Sequence, residues 1–247
     1  MSAAPAIAAR GLGGGYEPGV QVLSGLDFTV PAGSMVAVLG PNAGGKTTLF
    51  KALLGDLPER KGEVEVAAPV AYVPQTERYR LDFPVSALDV VLMGAFATAP
   101  WYRPLGHARR ERAREALGRV GLAEQVGERF GSLSGGQRQR TLIARALVQE
   151  ANVLLLDEPL SGVDRPAAER ILALLGELRQ EGRAILVSSH DIEQARRFDA
   201  VLCVNGRQVF YGPPEGMTPA VLGETYGAEI VVLEGGERAI VVQHHHH

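Results

Sequence analysis

The sequence holds one cysteine, Cys203, among 247 residues. No disulfide can form within the chain, which fits a reducing cytosol better than an oxidising compartment. Cys203 lies in the apolar run Ala200-Val201-Leu202-Cys203-Val204. It reads as a small buried hydrophobe rather than a nucleophile, the default for a thiol in such surroundings. Histidine is also scarce. Four of the six close the chain, His244 to His247, and read as the remnant of a purification tag. His107 and His190 remain, too few for a cluster of transition-metal ligands. No apolar run approaches the roughly 20 residues that cross a bilayer. The longest candidate, Val90 to Tyr102, is broken by Gly94 and Pro100. The first residues lack a charged start followed by an apolar core, so no signal peptide is expected. Excess positive charge is missing too. The formal net charge is -3, which argues against a nucleic-acid partner. What remains is ordinary globular composition, 46% hydrophobic and 21% charged, in a chain long enough to bury a sizeable core.

Strand and helix patterns alternate along the chain, which predicts an α/β core with parallel strands. Asp27 to Val30 and Ser34 to Leu39 read as strands around a turn at Pro31-Ala32-Gly33. A glycine-bearing loop leads into a helix from Lys46 to about Gly55. Glu63 to Val66 and Val70 to Val73 read as short strands. From about Ser86 to Gln149 the pattern turns helical. Ser86 can cap a helix through Val91 and Leu92. His107 to Val120 places Ala113, Leu117 and Val120 at helical spacing before a stop at Gly121. Its run Arg109-Arg110-Glu111-Arg112 reads as a solvated face rather than a phosphate patch. Val153 to Leu156 and Ala184 to Ser188 are buried strands, separated by a helix opening at Pro166 and ending at Gly182. Val201 to Val204 and Gln208 to Tyr211 flank a turn at Asn205-Gly206-Arg207, a hairpin signal. Ile230 to Leu233 and Ala239 to Val242 repeat the device around Gly235-Gly236, so the tail from Thr218 to Val242 reads as a plain structural hairpin rather than a small regulatory cap.

Three segments carry chemistry. Gly40-Pro41-Asn42-Ala43-Gly44-Gly45-Lys46-Thr47-Thr48 fits a phosphate-binding loop, G-x-x-x-x-G-K-[ST], between a strand and a helix. Small residues let backbone N–H groups converge on phosphate oxygens, at a helix end that favours negative charge. Lys46 offers a point charge to the β- and γ-phosphates, and the Thr47 hydroxyl suits Mg²⁺. The apolar strand Val153 to Leu156 ends in Asp157 and Glu158. The first acid suits Mg²⁺ and the second can polarise an attacking water. Leu133-Ser134-Gly135-Gly136-Gln137 begins a helix carrying Arg138, Arg140 and Arg145. Alone it fits a helix cap; beside a phosphate loop it offers a second anion-grasping element.

In this order, with Asp157-Glu158-Pro159, Ser161-Gly162-Val163-Asp164 and Ser189-His190-Asp191, these segments resemble the ABC ATPases over roughly residues 7–214. The resemblance implies a P-loop NTPase (RecA-like) α/β core with an antiparallel β subdomain and an inserted α-helical subdomain. It places the ATPase domain at 1–215, its helical insert at about 82–149, and a small C-terminal β-hairpin extension at 216–243. It implies ATP and Mg²⁺ as cofactors. Tyr16 then resembles the aromatic that stacks on adenine, and Gln75 the residue that senses Mg²⁺ and the γ-phosphate. His190 resembles the switch histidine, and Asp164 the residue that crosses the dimer interface. Ser134, Gly135, Gly136 and Gln137 would clamp ATP held on Gly40 to Thr48 of a second copy. Without the family, Tyr16 would read as a loop aromatic and His190 as a satisfied core histidine. One departure is Ala43: family members usually carry glycine there and leave the neighbouring Gly44 position less restricted, and here the glycine is shifted by one. If Ala43 takes a positive φ the loop is slightly strained, and ATP binding is expected to survive.

Tyr72-Val73-Pro74-Gln75, Asp82-Phe83-Pro84-Val85 and Val90-Val91-Leu92-Met93-Gly94 look like the manganese, zinc and iron-chelate importer ATPases, as do Gly162-Val163-Asp164 and Tyr211-Gly212-Pro213-Pro214. That branch implies a dimer bound to integral-membrane permease subunits at the cytoplasmic face, working with an extracellular or periplasmic solute-binding protein. The helical insert, with Tyr79, Phe83, Phe96, Trp101 and Tyr102, is the expected dock for the permease. Among rivals, a DNA-repair ATPase needs a long coiled coil, and Thr48 to Ser132 is too short and lacks heptads. Translation members carry two ATPase units, and this chain has one. An iron–sulfur cluster assembly ATPase is not excluded by size, but the importer motifs weigh against it. Glu158 and His190 weigh against a protein that binds ATP without hydrolysing it.

Overall fold

A computed structural model describes residues 5–75, 83–96, 106–227, 230–232 and 239–241. Tyr79, Asp82, Trp101, Tyr102 and the terminal histidines, named above, lie outside the described residues. The chain divides into two compact units, residues 1–66 with 186–247, and residues 67–185.

The first unit contains β1 (Ile7–Gly15), β2 (Leu23–Val30) and β4 (Glu59–Val66), an antiparallel sheet in the order β2-β1-β4. This is the antiparallel β subdomain that the resemblance implied. The glycines of β1 disguise it in the sequence. Register shifts interrupt its pairing with β2 between Ala9 and Leu12 and between Leu12 and Gly14. A Cβ on Gly14 would lie 1.9 Å from the Glu59 carbonyl oxygen, so the close approach of β4 demands glycine there. The same unit holds β3 (Met35–Leu39), β8 (Ala200–Val204) and β9 (Gln208–Gly212). β3 pairs parallel with β8, and β8 antiparallel with β9, giving the expected hairpin. All five residues of β3 are buried, the mark of a parallel strand covered on both faces. α1 (Lys46–Leu54) follows the loop after β3, entered through Gly45 and ended by Gly55, both at positive φ. It buries Leu49 and Phe50 completely.

The second unit contains β5 (Val70–Val73) paired parallel with β6 (Val153–Leu156). Three of its helices pack on one another: α2 (Ala87–Ala95), α3 (His107–Arg119) and α4 (Gly135–Val148). They form the helical subdomain the resemblance implied. Ser86 and Asp89 close a capping box at the start of α2, and those hydrogen bonds hold the Asp89 carboxyl below its usual range. The arginines of α3 pair at the surface with Glu111, Glu150, Glu177 and Glu181, as a solvated face requires. α5 (Arg165–Gln180) starts at Asp164 with Pro166 in its first turn. β7 (Ala184–Ser189) begins in this unit and ends in the first, where the short α6 (Ile192–Ala195) follows.

The tail differs from the hairpin expected from Thr218 onward. α7 (Pro219–Tyr226) comes first, with Thr218 capping it, Pro219 in its first turn and Gly227 closing it in the left-handed region. These start and stop signals stand in the sequence. Only then do β10 (Ile230–Val232) and β11 (Ala239–Val241) pair antiparallel. Truncating Phe50, at 0% exposure, to alanine should lower the unfolding free energy by about 3–5 kcal/mol. Urea denaturation checks this, and a loss below about 1 kcal/mol would show that α1 is not anchored by that ring.

Candidate functional site

The phosphate-loop residues, Tyr16 and His190 lie in the first unit; Gln75, Ser134 to Gln137, Asp157, Glu158 and Asp164 lie in the second. In the first unit, β3 carries the chain to Gly40 and α1 takes it up at Lys46. Lys46 is 6% exposed. A buried charge needs partners, and Lys46 Nζ donates to the carbonyls of Gly40 at 2.7 Å and Pro41 at 3.2 Å. The loop therefore turns carbonyls toward its own lysine at the helix end whose N–H groups suit an anion. Gly44 N donates to the Pro41 carbonyl at 3.0 Å, and the Gly44 carbonyl accepts from Gly206 N at 3.0 Å.

Ala43 and Gly44 carry different constraints. Ala43 sits at φ 62, the left-handed region that costs a Cβ-bearing residue about 1–2 kcal/mol. The condition set for strain in this loop is met. Gly44 is held by space instead. A Cβ there would lie 2.8 Å from Pro41 Cδ and 3.0 Å from the Pro41 carbonyl oxygen. Moving the glycine one place along the loop would therefore exchange strain for a clash.

Tyr16 is 43% exposed. Its hydroxyl shares a hydrogen bond of 3.2 Å with Thr48 Oγ1, and Lys51 Nζ stands 4.6 Å from the ring centroid. Two residues of α1 thus hold this aromatic, and Lys51 is one that the sequence alone does not single out. His190 follows the end of β7 and is exposed, so the reading of a core histidine fails. Next to it, Asp191 caps α6 by accepting from Gln194 N at 3.0 Å, while its own N–H donates to Ser189 Oγ at 3.0 Å.

In the second unit, β6 is wholly buried and delivers Asp157 at 3% exposure. The Tyr72 hydroxyl donates to Asp157 Oδ2 at 3.2 Å. The Tyr72 carbonyl in turn accepts from Arg145 Nη2 of α4 at 3.3 Å. Tyr72 carries no role in the sequence pattern; only the parallel pairing of β5 with β6 brings it to the carboxylate. Gln75 Nε2 donates to Glu158 Oε2 at 3.2 Å. Glu158 adopts φ 48, a strained backbone of the kind that gathers at functional sites.

Ser134 caps α4. Its Oγ accepts from Gln137 N at 3.2 Å, and Gln137 Oε1 accepts from Ser134 N at 2.8 Å. The pentapeptide is therefore a capping box, with Ser134 and Gly135 exposed at a helix N-terminus. Asp164 caps α5, accepting from Ala167 N at 2.8 Å. The two helix starts adjoin: a Cβ on Gly136 would lie 3.5 Å from Val163 Cγ1 and 3.6 Å from Ala167 Cβ.

Mg²⁺ favours oxygen donors, one or two carboxylates completed by substrate phosphate and water. Thr47 offers a hydroxyl and Asp157 a buried carboxylate. Gln75 spends its amide nitrogen on Glu158, a bond that does not use its oxygen. Among the described residues no group of three His, Cys, Asp or Glu side chains gathers as a metal site. A hydroxyl, an amide oxygen and a carboxylate are each the kind of hard oxygen donor that suits Mg²⁺. Cys203 is fully buried, and burial pushes its thiol up to about 11, against a hydrogen bond with Thr225 that lowers it. It stays a neutral thiol, unsuited to nucleophilic work.

Comparison with known proteins places these features in a family. A family model described as ABC transporter matches residues 23–161. The manganese transport system ATP-binding protein MntB of Halalkalibacterium halodurans is 39% identical over 90% of this chain and 92% of its own. The zinc transport system ATP-binding protein TroB of Treponema pallidum is 40% identical over 85% of this chain and 82% of its own. Among solved structures, a chain of a transporter described as metal-chelate type, in an inward-facing conformation, superposes with a TM-score of 0.84 at 30% identity. That match covers 92% of this chain and 90% of the other. A bacterial ABC transporter cassette solved as a dimer gives 0.75 at 25% identity, over 85% of this chain and all of the other.

Replacing Ala43 by glycine should raise stability by about 1 kcal/mol by relieving the positive φ, with ATP affinity kept. Gly44→Ala should weaken ATP binding at least tenfold, because the loop must move off Pro41. Thermal melts and nucleotide titration check both, and a destabilised Ala43→Gly would refute the strain.

Proposed function

Because the chain belongs to the ABC transporter ATP-binding family, ATPases that pair as dimers and act with a permease, we propose that it drives uptake of a transition-metal ion through that permease. Manganese or zinc is the cargo we favour. The observation that carries this reading is the identity of 39% and 40%, over most of both chains, with a manganese and a zinc transport ATP-binding protein. An iron-chelate importer is the second reading, favoured by the superposition on the metal-chelate type transporter. Among the described residues no helix is long and apolar enough to cross a membrane. We place the chain peripherally at the cytoplasmic face, beneath a permease served by an extracellular or periplasmic solute-binding protein. Residues 1–215 form the ATPase domain in this reading, with the helical insert at about 82–149 and an extension at 216–243.

The residues divide the work as follows. Tyr16 stacks on adenine, held by Thr48 and Lys51. The loop from Gly40 to Thr48 turns its N–H groups to the phosphates, and Lys46 exchanges loop carbonyls for β- and γ-phosphate oxygens. Thr47, Gln75 and Asp157 are the oxygen donors for Mg²⁺, which when bound neutralises charge on the phosphates. Tyr72 holds the Asp157 carboxylate in one orientation. Glu158 takes a proton from the attacking water as general base, and Gln75 holds its carboxylate. His190 contacts the γ-phosphate. Ser134, Gly135 and Gly136 of a second copy close over the nucleotide, with Gln137 holding the cap and Asp164 reaching across. Each hydrogen bond to a charged phosphate contributes roughly 1.5–3 kcal/mol, so a few suffice to drive closure and their loss on hydrolysis reopens it. Phe83 at 64%, Met93 at 46% and Phe96 at 53% exposure give the helical insert an apolar surface. That surface is where the permease docks.

Glu158→Gln should slow hydrolysis by about 10² to 10⁴-fold while ATP still drives dimerisation. Phosphate release and gel filtration check this, and a normal rate would remove Glu158 from the role of base. The transport reading is tested by total cellular manganese, zinc and iron with Glu158→Gln in place of the native residue. A fall in manganese or zinc is expected. A fall confined to iron would favour the chelate reading, and no change in any of the three would overturn metal import.

A further inference from the structure

A cavity of about 270 Å³ lies within the second unit, lined by the end of α3, by α5 and by Arg140 of α4. That volume is near the lower end for ligand pockets, roughly 300–1,000 Å³, and suits a small molecule. Arginine dominates its polar lining: Arg119, Arg140 and Arg170 stand against one acid, Glu177. The acid is already engaged, since Arg119 Nη2 lies 3.5 Å from Glu177 Oε2 and 2.7 Å from Glu181 Oε1. The lining therefore offers no further carboxylate to Arg140 or Arg170.

Arg140 is 8% exposed. Its guanidinium is held by main-chain carbonyls. Nη1 donates to Val120 at 2.8 Å and to Gly121 at 3.2 Å, just past the end of α3, and Nε donates to Gly136 at 3.4 Å. These bonds fix the plane of the group, bring no full negative charge to it, and do not use Nη2. Burial works against the Arg140 charge, the Arg170 charge adds to that, and Asp164 opposes both. A buried guanidinium of fixed orientation, with a second arginine on the same cavity, is suited to grip a carboxylate or a phosphate.

The rest of the cavity suits an apolar body. Val120, Ile171 and Leu174 line it. Gly118, also in the lining, keeps one side open. It stands in the interior of α3 without the positive φ that favours glycine, and a Cβ there would meet nothing within 4 Å. A glycine inside a helix costs about 0.5–1 kcal/mol relative to alanine, and no close approach demands this one. What the missing side chain supplies is room.

We propose that this cavity binds a small organic anion: Arg140 and Arg170 take its carboxylate or phosphate head, and Val120, Ile171 and Leu174 receive a short apolar body. No residue of the lining belongs to the nucleotide site described above, and the inference does not rest on the ATPase reading.

The test is isothermal titration calorimetry of the full chain with benzoate, phenyl phosphate and inorganic phosphate, with ADP present to occupy the phosphate loop. Benzoate or phenyl phosphate should bind with a Kd of about 1 mM or tighter and raise the melting temperature. The tighter of the two identifies the head group, and inorganic phosphate should bind more weakly than it. Arg170→Gln, at an exposed position, and Gly118→Leu, which fills the open side, should each weaken binding at least about tenfold, with circular dichroism unchanged. Should Gly118→Leu fail to fold, Arg170→Gln decides alone. Absence of binding by both organic anions overturns the proposal, and so does binding that persists unweakened in either folded variant. Inorganic phosphate binding as tightly as the better organic anion would overturn the assignment of an apolar body.

Discussion

A backbone that presents N–H groups to phosphate must find other employment for its carbonyls, and the rest of the first unit follows from that constraint. Carbonyl oxygens facing an anion would repel it. Here Gly40 and Pro41 turn theirs onto Lys46, and Gly44 gives its own to Gly206. The same ammonium that suits the phosphates therefore organises the loop from within. The supporting pieces come from distant points of the chain: the turn between β8 and β9, Ser24 bonded to it, and α7, whose Glu224 pairs with Arg207 of that turn. Strain at Ala43 and lack of room at Gly44 are both consequences of so tight a loop.

The second unit treats its acids in a comparable way. A fully buried four-residue strand is a rigid mount, and the two carboxylates at its end accept from neutral donors, Asp157 from Tyr72 and Glu158 from Gln75. Neutral donors orient a carboxylate without cancelling its charge, which leaves it fit to bind a cation or take a proton. Arg145 reaches the Tyr72 carbonyl from α4. The helix that begins with the Ser134 capping box is in this way connected to the strand that places Asp157. In the proposed reading, a cap and a binding element need not compete at Ser134. The cap orders the helix start and leaves Ser134 and Gly135 at the surface, where a second copy can use them.

Much of this was legible in the residues. The phosphate loop, the acidic strand end and the helix caps at Ser86 and Ser134 are local patterns. Their physics acts over a few positions, so spacing alone exposes them. β1 was not legible, because its glycines read as loop until β4 lies close enough to require them. α7 was overlooked in favour of the hairpin that follows it, although its cap, its proline and its closing glycine are all present. Tyr72 and Lys51 were silent for another reason. Each acquires meaning from a residue 85 or 35 positions away in the chain, partners brought near only when the chain folds.

The sequence by itself determined the chemistry available: which residues can cradle phosphate, hold Mg²⁺ or activate water, and the α/β class that carries them. Backbone propensity, capping and motif spacing are properties of neighbours in the chain, and they survive without the fold. The tertiary structure alone decided how those groups are held. It set the orientation of Asp157 through Tyr72, the exposure of His190, the positive φ of Ala43 and the tie between Gly206 and Gly44. Orientation and burial depend on atoms that meet only when the chain has folded, and no local pattern encodes them.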